Sequence, residues 1–392
     1  MTKLALAAIS ARVLAEAAAR EGLGAVALDL FGDRDTQRAA SAWLPIGAPA
    51  SLQIDAAALL DALEALAHRG DVAGWVAGAG FEGRPDLLAQ GAARLPLLGT
   101  AGADQRRVRD PATFFGFLKA CGFSYPAVRH TVSGDPHGWL VKDAGGCGGW
   151  HIRRASAAEP AALSPGHYLQ REARGVPMSA TFVANGRDAV LLGFNEQIVR
   201  PLGARPYVYA GVLGPVSVAA DVAREVGAVV RACAEMFALR GLASLDFLLD
   251  GERVLVLEVN PRPPASLALY ARAGDRGVLG AHLRACRDGV LPHGPALERP
   301  GGGQVGAAPP ASSAEVQGSE IVFAPRALQL DADLAARLER LADTHDLPRA
   351  ATDFAAGDPV CSVSARGATA AAVKAELARR RDALLRTLES LR

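Results

Sequence analysis

Several features that would indicate other classes of protein are missing from this sequence. The five cysteines are scattered and none forms a Cys-x-x-Cys pair, which argues against a disulfide framework and a zinc site and favours a reduced, cytoplasmic setting. The formal net charge is only +1, so there is no electrostatic case for binding nucleic acid or an anionic membrane surface. No uncharged run approaches the roughly 18 residues that a membrane span needs. The eight histidines lack metal-ligand spacing, and we interpret them as surface or satisfied core groups.

The chain has 392 residues, too many for one compact core, so two or three domains are expected. Residues 1–102 alternate short apolar runs with alanine-rich helical stretches, and the apolar start is interpreted as a buried strand rather than a signal peptide, because Arg12 interrupts it. This βαβ rhythm predicts a parallel sheet with helices on both faces. Ligands of such sheets bind at the carboxyl ends of the strands. Polar clusters follow three predicted strands, at 10–12, 29–35 and 78–82.

The pattern changes at about residue 103. Up to residue 295 we predict a second α/β domain with a helix at 111–121, a long helix at 222–238 and a hairpin around Asp250-Gly251. The stretch 292–318 is rich in Gly, Pro, Ala and Ser and is typical of a linker or long loop. Residues 296–392 would comprise this linker and a small C-terminal α+β lobe, in which the apolar strand around Cys361 belongs to the core.

The segment 242–262 carries the strongest chemical signal. Glu258 and Asn260 are two residues apart in a β-run, so their side chains share one face. The turn at Asp250-Gly251 folds the preceding strand back and brings Asp246 toward that face. Two carboxylates and an amide oxygen are hard ligands suited to Mg²⁺, and a guanidinium such as that of Arg262 suits phosphate or carboxylate. The alternative is an exposed hairpin with a solvated charged face, but Glu258 lies in an otherwise apolar run where an unpartnered carboxylate would be costly.

This segment resembles the metal-binding hairpin of the ATP-grasp superfamily, with an acid before Phe, a hairpin, and then Glu-x-Asn-Pro-Arg. The resemblance implies that Asp246, Glu258 and Asn260 hold Mg²⁺ between ATP phosphates, with Mn²⁺ as an alternative ion. It also implies that Arg262 is catalytic and contacts the transferred phosphate or the activated carboxyl. The fold expected is an ATP-grasp domain preceded by a Rossmann-like pre-ATP-grasp domain.

A lysine and a glycine run follow a predicted strand at 139–142. Glycines let backbone N–H groups approach phosphate oxygens, and a lysine supplies a point charge, although such runs are also common in simple hairpin turns. The stretch resembles the mobile ATP-grasp lid, here at about 127–171, with Lys142 as a catalytic and phosphate-binding residue. Asp143 stands where the family usually has proline. The glycines that would close over the phosphates are Gly145, Gly146, Gly148 and Gly149.

Further nucleotide contacts are implied by the same resemblance. The segment 167–175 is similar to the hinge that reads adenine, largely through backbone groups of Gln170, Arg171, Glu172 and Ala173. Gln197 lies on a strand predicted beneath the lid and is a phosphate or substrate candidate, although a lone glutamine is more often just an exposed strand residue. Arg109 is the best candidate for the family's second basic residue near the start of the central domain.

The N-terminal motifs at 10–12, 29–35 and 80–82, and the later 207–211, resemble a subgroup of predicted ATP-dependent carboligases. Members of that subgroup occur beside genes for methanopterin- and methanofuran-type cofactors of one-carbon metabolism. The first hypothesis is therefore a carboxylate–amine ligase that forms an acyl phosphate and releases ADP, acting in such cofactor biosynthesis. An ATP-dependent carboxylase of bicarbonate and a non-catalytic ATP-binding module remain alternatives. The expected partners are small carboxylate and amine substrates, without nucleic acid or membrane, and a homodimer is compatible with the sequence.

Overall fold

The N-terminal layer is a parallel four-stranded sheet flanked by helices. The computed structural model describes residues 3–132, 134–159, 162–270, 277–292, 315–349 and 351–389. The elements of this layer are β1 (Lys3–Ala7), α1 (Arg12–Arg20), β2 (Ala25–Asp29), α2 (Arg34–Ala39), β3 (Ala42–Pro45), α3 (Ala56–Arg69), β4 (Val72–Ala77) and α4 (Pro85–Ala92). The strand order is β3-β2-β1-β4, and every pair is parallel. The predicted βαβ arrangement is confirmed, and the ends of β1, β2 and β4 lie side by side at one edge.

The central domain begins with two helices and a small antiparallel sheet. Its first elements are α5 (Gly102–Arg109), α6 (Pro111–Ala120), β5 (Val128–Arg129), β6 (Trp139–Asp143), β7 (Arg153–Arg154) and β8 (His167–Arg171). The four strands pair in the order β5-β8-β6-β7 and span the stretch in which the sequence places the lid. The glycine run lies between β6 and β7.

A large antiparallel sheet follows and forms the floor of the molecule's main cleft. Its central-domain elements are β9 (Val176–Asn185), β10 (Ala189–Leu202), β11 (Arg205–Val216), α7 (Ala220–Met236), β12 (Arg240–Asp250), β13 (Arg253–Asn260) and α8 (Gly277–Arg287). The helix α7 is amphipathic, because Val222, Val226, Val230 and Cys233 recur at helical spacing and are buried. They pack with Phe182 and other residues of the sheet in one continuous core. No helix in the described parts of the chain is long and apolar enough to cross a membrane.

The C-terminal lobe is joined to the central domain by its first strand. Its elements are β14 (Val316–Phe323), β15 (Leu328–Leu330), α9 (Ala332–Arg340), β16 (Thr344–His345), β17 (Thr352–Phe354), β18 (Pro359–Gly367) and α10 (Ala370–Glu389). The lobe has its own core, which includes Cys361. It is not separate, however, because β14 pairs with β11 and extends one sheet of order β13-β12-β9-β10-β11-β14-β18-β16. Most of the predicted linker, residues 293–314, lies outside the described residues.

The helix α8 is attached to the sheet through His282, which is completely buried. Its Nδ1 accepts a hydrogen bond from the backbone N–H of Leu242 at 2.8 Å, and its Nε2 lies 3.0 Å from the carbonyl of Leu98. Only the neutral imidazole, protonated at Nε2, satisfies both contacts. Burial lowers the pKa of His282 to about 4. The ring therefore connects the N-terminal layer, β12 and α8 as long as it stays uncharged.

We expect the stability of the protein to fall in mild acid because of His282. The pKa of His282 is about 4 in the folded chain and 6.5 in the unfolded chain, so the unfolded chain binds the proton first as the pH falls. The free energy of unfolding should decrease across this window by on the order of 3 kcal/mol. His282→Gln, which does not titrate, should show a shallower pH dependence in urea unfolding. The exposed His68→Gln should behave like the wild type, and an unchanged slope in His282→Gln would contradict the assignment.

Candidate functional site

The predicted metal ligands converge on the β12–β13 hairpin. In the register of the two strands Asp246 lies opposite Glu258, and Ser244 lies opposite Asn260. Gly251, with φ +63°, forms the tight turn that brings the strands together. The amide Nδ2 of Asn260 donates to Asp246 Oδ2 at 3.1 Å and to Glu258 Oε1 at 3.3 Å. The three side chains therefore meet at one point of the sheet surface.

The two carboxylates of this hairpin are electrostatically unequal. Burial and, after it, the neighbouring Glu258 carboxylate raise the pKa of Asp246 to about 7. Burial alone would also raise the pKa of Glu258, but Arg109 and Lys142 outweigh it and lower the pKa to about 2. The protein therefore compensates the charge of Glu258 fully, whereas Gln197, Arg262 and Lys142 compensate the charge of Asp246 only in part.

The same hairpin satisfies the requirements of a divalent cation. Asp246 Oδ1 is buried and has no hydrogen-bond partner among the described residues. Burying an oxygen without a hydrogen-bond partner costs free energy, and a hard cation bound to that oxygen would offset the cost. Asn260 adds an amide oxygen, since only its N–H₂ is used by the two carboxylates. The residues present therefore fit Mg²⁺ or Mn²⁺.

Lys142 and Gln170 lie on the neighbouring strands β6 and β8, facing the hairpin. Lys142 is 4% exposed, and its Nζ lies 3.2 Å from Gln170 Oε1. The Nε2 of Gln170 is buried and has no hydrogen-bond partner among the described residues. A buried ammonium with one neutral acceptor retains donor capacity for an anion. Lys142 thus lies in the same cleft as the predicted metal ligands, and its role as the phosphate lysine stays a prediction.

Arg109, at the end of α5, holds the glycine segment against the hairpin. Its guanidinium donates to the carbonyls of Ala144 (2.7 and 2.9 Å) and Gly146 (2.7 Å), and Nη1 lies 3.3 Å from Glu258 Oε2. The side chain is almost fully buried. Arg109 thus connects the predicted lid directly to a predicted metal ligand.

The glycine segment 145–149 is closed over the cleft. Asp143, which replaces the family's proline, accepts the N–H of Gly145 at 2.8 Å and so shapes the turn. The carbonyl of Gly148 accepts the N–H of Tyr209 on β11 at 2.9 Å. A Cβ at Gly83 of the N-terminal layer would lie 2.9 Å from the Cα of Gly145, so only two glycines allow this approach. The segment touches both the large sheet and the N-terminal layer.

Arg262 is bound by a carboxylate of the N-terminal layer. Its Nε donates to Glu82 Oε1 at 2.8 Å, and Glu82 Oε2 accepts the N–H of Gly80 at 2.7 Å. Burial alone would raise the pKa of Glu82, but Arg262 and Arg109 outweigh it and lower the pKa below its ordinary value. Glu82 is buried and Arg262 is partly buried, and the ion pair fixes the guanidinium against the N-terminal layer.

The remaining predicted contacts surround the same cleft. Gln197 lies beside the Asp246 carboxylate, and Arg171, Glu172 and Ala173 line the cleft after β8. The carboxylate of Glu172 accepts from the hydroxyl of Tyr207 and from Arg154, and its backbone N–H donates to the carbonyl of Gly138. The Glu172 side chain therefore already has partners within the protein. A ligand in the cleft would contact mainly backbone groups of this hinge.

His151 is a site residue that sequence reasoning missed. It follows the glycine segment, its Nδ1 is buried without a hydrogen-bond partner among the described residues, and burial lowers its pKa. The Glu258 carboxylate and the Lys142 ammonium are its nearest electrostatic influences. Three of the buried orphan polar atoms, those of His151, Gln170 and Asp246, therefore lie in this one site. The only sequence signal was the position of His151 two residues after the glycine run.

The chain was compared with known proteins. Residues 108–266 match the family model described as an ATP-grasp domain. No curated protein matches. The L-amino acid ligase of Bacillus licheniformis is similar in structure, with TM-score 0.68, 14% identity, and coverage of 97% of this chain and 97% of that chain.

Two carboxylating enzymes are similar as well. N5-carboxyaminoimidazole synthase of Aspergillus clavatus, solved with ADP and its ribonucleotide, gives TM-score 0.66 at 15% identity and covers 97% of this chain and 98% of that chain. A single-chain, multi-domain long-chain acyl-CoA carboxylase gives TM-score 0.67 at 18% identity, with 97% of this chain matched. The chain spans only 39% of that carboxylase. These likenesses confirm the predicted ATP-grasp fold with its preceding parallel-sheet layer.

Asp246 gives a prediction that separates a functional role from a structural one. Because burial raises its pKa, Asp246→Asn should raise the free energy of unfolding of the metal-free protein at pH values above 7. The same substitution should weaken Mn²⁺ binding in the presence of ATP by about tenfold or more, since it removes a charged ligand. Urea unfolding and calorimetry would measure the two effects.

The matched control is Glu252→Gln, at the exposed tip of the same hairpin. It should change neither quantity. Asp246→Asn with reduced stability and undiminished metal binding would show that the carboxylate serves the fold rather than the site.

Proposed function

We propose that this chain, which carries an ATP-grasp domain at residues 108–266, is an ATP-dependent carboxylate–amine ligase that releases ADP. The observation that carries the proposal is that a carboxylate pair and three cations lie together in one cleft, two of the cations buried and Arg262 partly buried. Asp246 and Glu258 provide the negative side, and Arg109, Lys142 and Arg262 provide the positive side. Such a pairing suits a polyphosphate held between a metal and fixed cations.

The substrate nucleotide would lie between β8 and the large sheet. Gln170–Ala173 would follow the adenine, and Lys142 with the N–H groups of the glycine segment would contact the phosphates. A Mg²⁺ or Mn²⁺ ion held by Asp246, Glu258 and Asn260 would neutralise the negative charge that develops on the transferred phosphoryl group. Positioning and electrostatics, without a covalent enzyme intermediate, would account for the catalysis.

Arg262 would hold the substrate carboxylate and then the acyl phosphate while an amine attacks it. The ion pair with Glu82 keeps the guanidinium in a fixed orientation, so a substrate would find it already placed. The glycine segment, closed against Tyr209 and Gly83, would shield this reactive species from water. We therefore treat Arg262 and Lys142 as the catalytic residues and Glu82 as a positioning residue.

The similarity to an L-amino acid ligase supports amide-bond formation, and the similarity to carboxylating enzymes supports bicarbonate activation as the second candidate. We further propose a cytoplasmic role in biosynthesis of cofactors of one-carbon metabolism, which the N-terminal motifs support. The proposed domain divisions are 1–102, 103–295 and 296–392.

The ligase proposal is tested by trapping the acyl phosphate. A panel of small carboxylic acids is incubated with the protein, Mg²⁺ and ATP, and hydroxylamine replaces the amine. The true acid should give a hydroxamate together with equal amounts of ADP and phosphate, because a metal held by Asp246, Glu258 and Asn260 would favour attack at the γ-phosphorus. Production of AMP would contradict this mechanism, and ADP formation that needs only bicarbonate would favour the carboxylase.

Lys142 provides a separate test of the phosphate contact. Lys142→Ala should weaken ATP binding by about tenfold to a hundredfold, which corresponds to one lost charge-assisted hydrogen bond, and should leave adenosine binding nearly unchanged. The exposed Lys119→Ala is the control for loss of one lysine. Equal weakening of ATP and adenosine would mean that Lys142 supports the structure of the site rather than the phosphates.

A further inference from the structure

A second group of charges lies where the N-terminal layer meets the C-terminal lobe. We call it the carboxylate cluster and define it as Glu16, Asp33, Asp35 and Asp346. Glu16 belongs to α1, the two aspartates begin α2, and Asp346 follows β16. The backbone N–H of Arg34 donates to the carbonyl of Leu347 at 2.8 Å, which fixes the start of α2 against this part of the lobe.

Three members of the carboxylate cluster already have partners. Asp346 accepts two hydrogen bonds from Arg12, at 2.6 and 3.1 Å, and Glu16 lies 3.2 Å from the same guanidinium. Asp35 accepts the backbone N–H groups of residues 346 and 347 at 2.8 and 3.1 Å, and it lies 3.7 Å from Arg12. One arginine thus serves three carboxylates.

Asp33 is the exception. It is only 5% exposed, and its carboxylate makes no hydrogen bond or ion pair within the part of the chain that the structure describes. It precedes α2 but does not cap the helix through its side chain. Burial and the neighbouring carboxylates of Asp346, Asp35 and Asp29 raise its pKa well above the ordinary value. Asp33 is among the residues that line the cleft, so an unpartnered carboxylate lies in its wall.

The carboxylate cluster and the proposed catalytic centre share one cleft. The backbone N–H of Leu30, just after β2, donates to the carbonyl of Ile9, and the N–H of Ile9 donates to the carbonyl of Ala79, just after β4. The segments after β2, β1 and β4 are therefore adjacent in that order. The segment after β2, which contains Asp33, is therefore two strand spacings, or roughly 10 Å, from the segment after β4, which contains Glu82. Because Glu82 binds Arg262, a small extended molecule could contact both Asp33 and Arg262.

We propose that Asp33 binds a substrate ammonium group remote from the reacting atoms, so that the ligase acts on a substrate with an additional positively charged amino group. This inference rests on the proposed function and names the class of its substrate. An ammonium donates three hydrogen bonds and complements a cluster with four carboxylates and one arginine. Glu16, Asp35 and His345 offer possible metal-ligand atoms within 4.8 Å of one another, but Asp33 is not among them. The carboxylates of Glu16 and Asp35 are also already engaged by Arg12 and by backbone N–H groups, so a metal there would have to displace these contacts.

The test compares two series of probes on the full chain saturated with Mg²⁺ and ADP. One series is α,ω-diamines of increasing length, and the other is hydroxyamines of equal length, in which a hydroxyl replaces one ammonium. Calorimetry should give at least about tenfold tighter binding of the diamine at the best length, because a buried charge-assisted contact is gained. In Asp33→Asn the ratio of the hydroxyamine Kd to the diamine Kd should fall to near one. Asp61→Asn, an exposed aspartate of α3 in the same layer, should keep the wild-type ratio.

Each outcome decides the question. Equal ratios in the wild type and Asp33→Asn, or a ratio near one in the wild type at every length, would overturn the inference. Binding of Mn²⁺ without nucleotide that is lost in Asp33→Asn would also overturn it and indicate a metal site. The affinity for ADP with Mg²⁺ serves as the separate control, and it should be the same in Asp33→Asn and the wild type. If the wild type did not bind ADP with Mg²⁺ at all, the proposed function would be rejected instead.

Discussion

The structure of the cleft depends on the balance between two partly buried carboxylates and the cations that face them. Glu258 stays charged because Arg109 and Lys142 lie nearby, whereas Asp246 has no comparable partner. A protein keeps such an imbalance only where the surrounding fold imposes it, and here the β12–β13 register imposes it by placing the two acids opposite each other. The unpaired oxygen of Asp246 then makes the site receptive to a cation.

The cleft is lined by charged groups that already contact one another. Arg109 reaches Glu258 and, at the same time, the carbonyl of Gly146 in the glycine segment and that of Ala144 just before it. A nucleotide phosphate that attracts this guanidinium would compete with both contacts. The closure of the glycine segment and the charge state of the metal ligands are therefore coupled through one side chain, which provides a physical route by which nucleotide binding could alter the lid.

Buried or partly buried ion pairs also join the three parts of the chain around the cleft. Glu82 binds Arg262 across the boundary between the N-terminal layer and the central domain, and Arg12 binds Asp346 across the boundary with the C-terminal lobe. Removing one partner of such a pair leaves an uncompensated charge, so these contacts oppose relative displacement of the parts. The cleft thus receives groups from all three, although the residues that resemble the family's motifs are concentrated in the central domain.

The sequence alone was sufficient for the features that depend on local pattern. The βαβ rhythm, the amphipathic helix at 220–236 and the hairpin at Gly251 follow from periodicity and turn chemistry, and the ATP-grasp resemblance followed from 242–262. Contacts between residues distant in the chain have no such pattern, so only the tertiary structure joined β14 to β11, paired Glu82 with Arg262 and buried His151 beside Glu258. The same holds for Asp33: the sequence placed it in a polar segment after β2, but its lack of a partner depends on the tertiary structure, in which Arg12 binds Asp346, more than 300 positions away from Asp33.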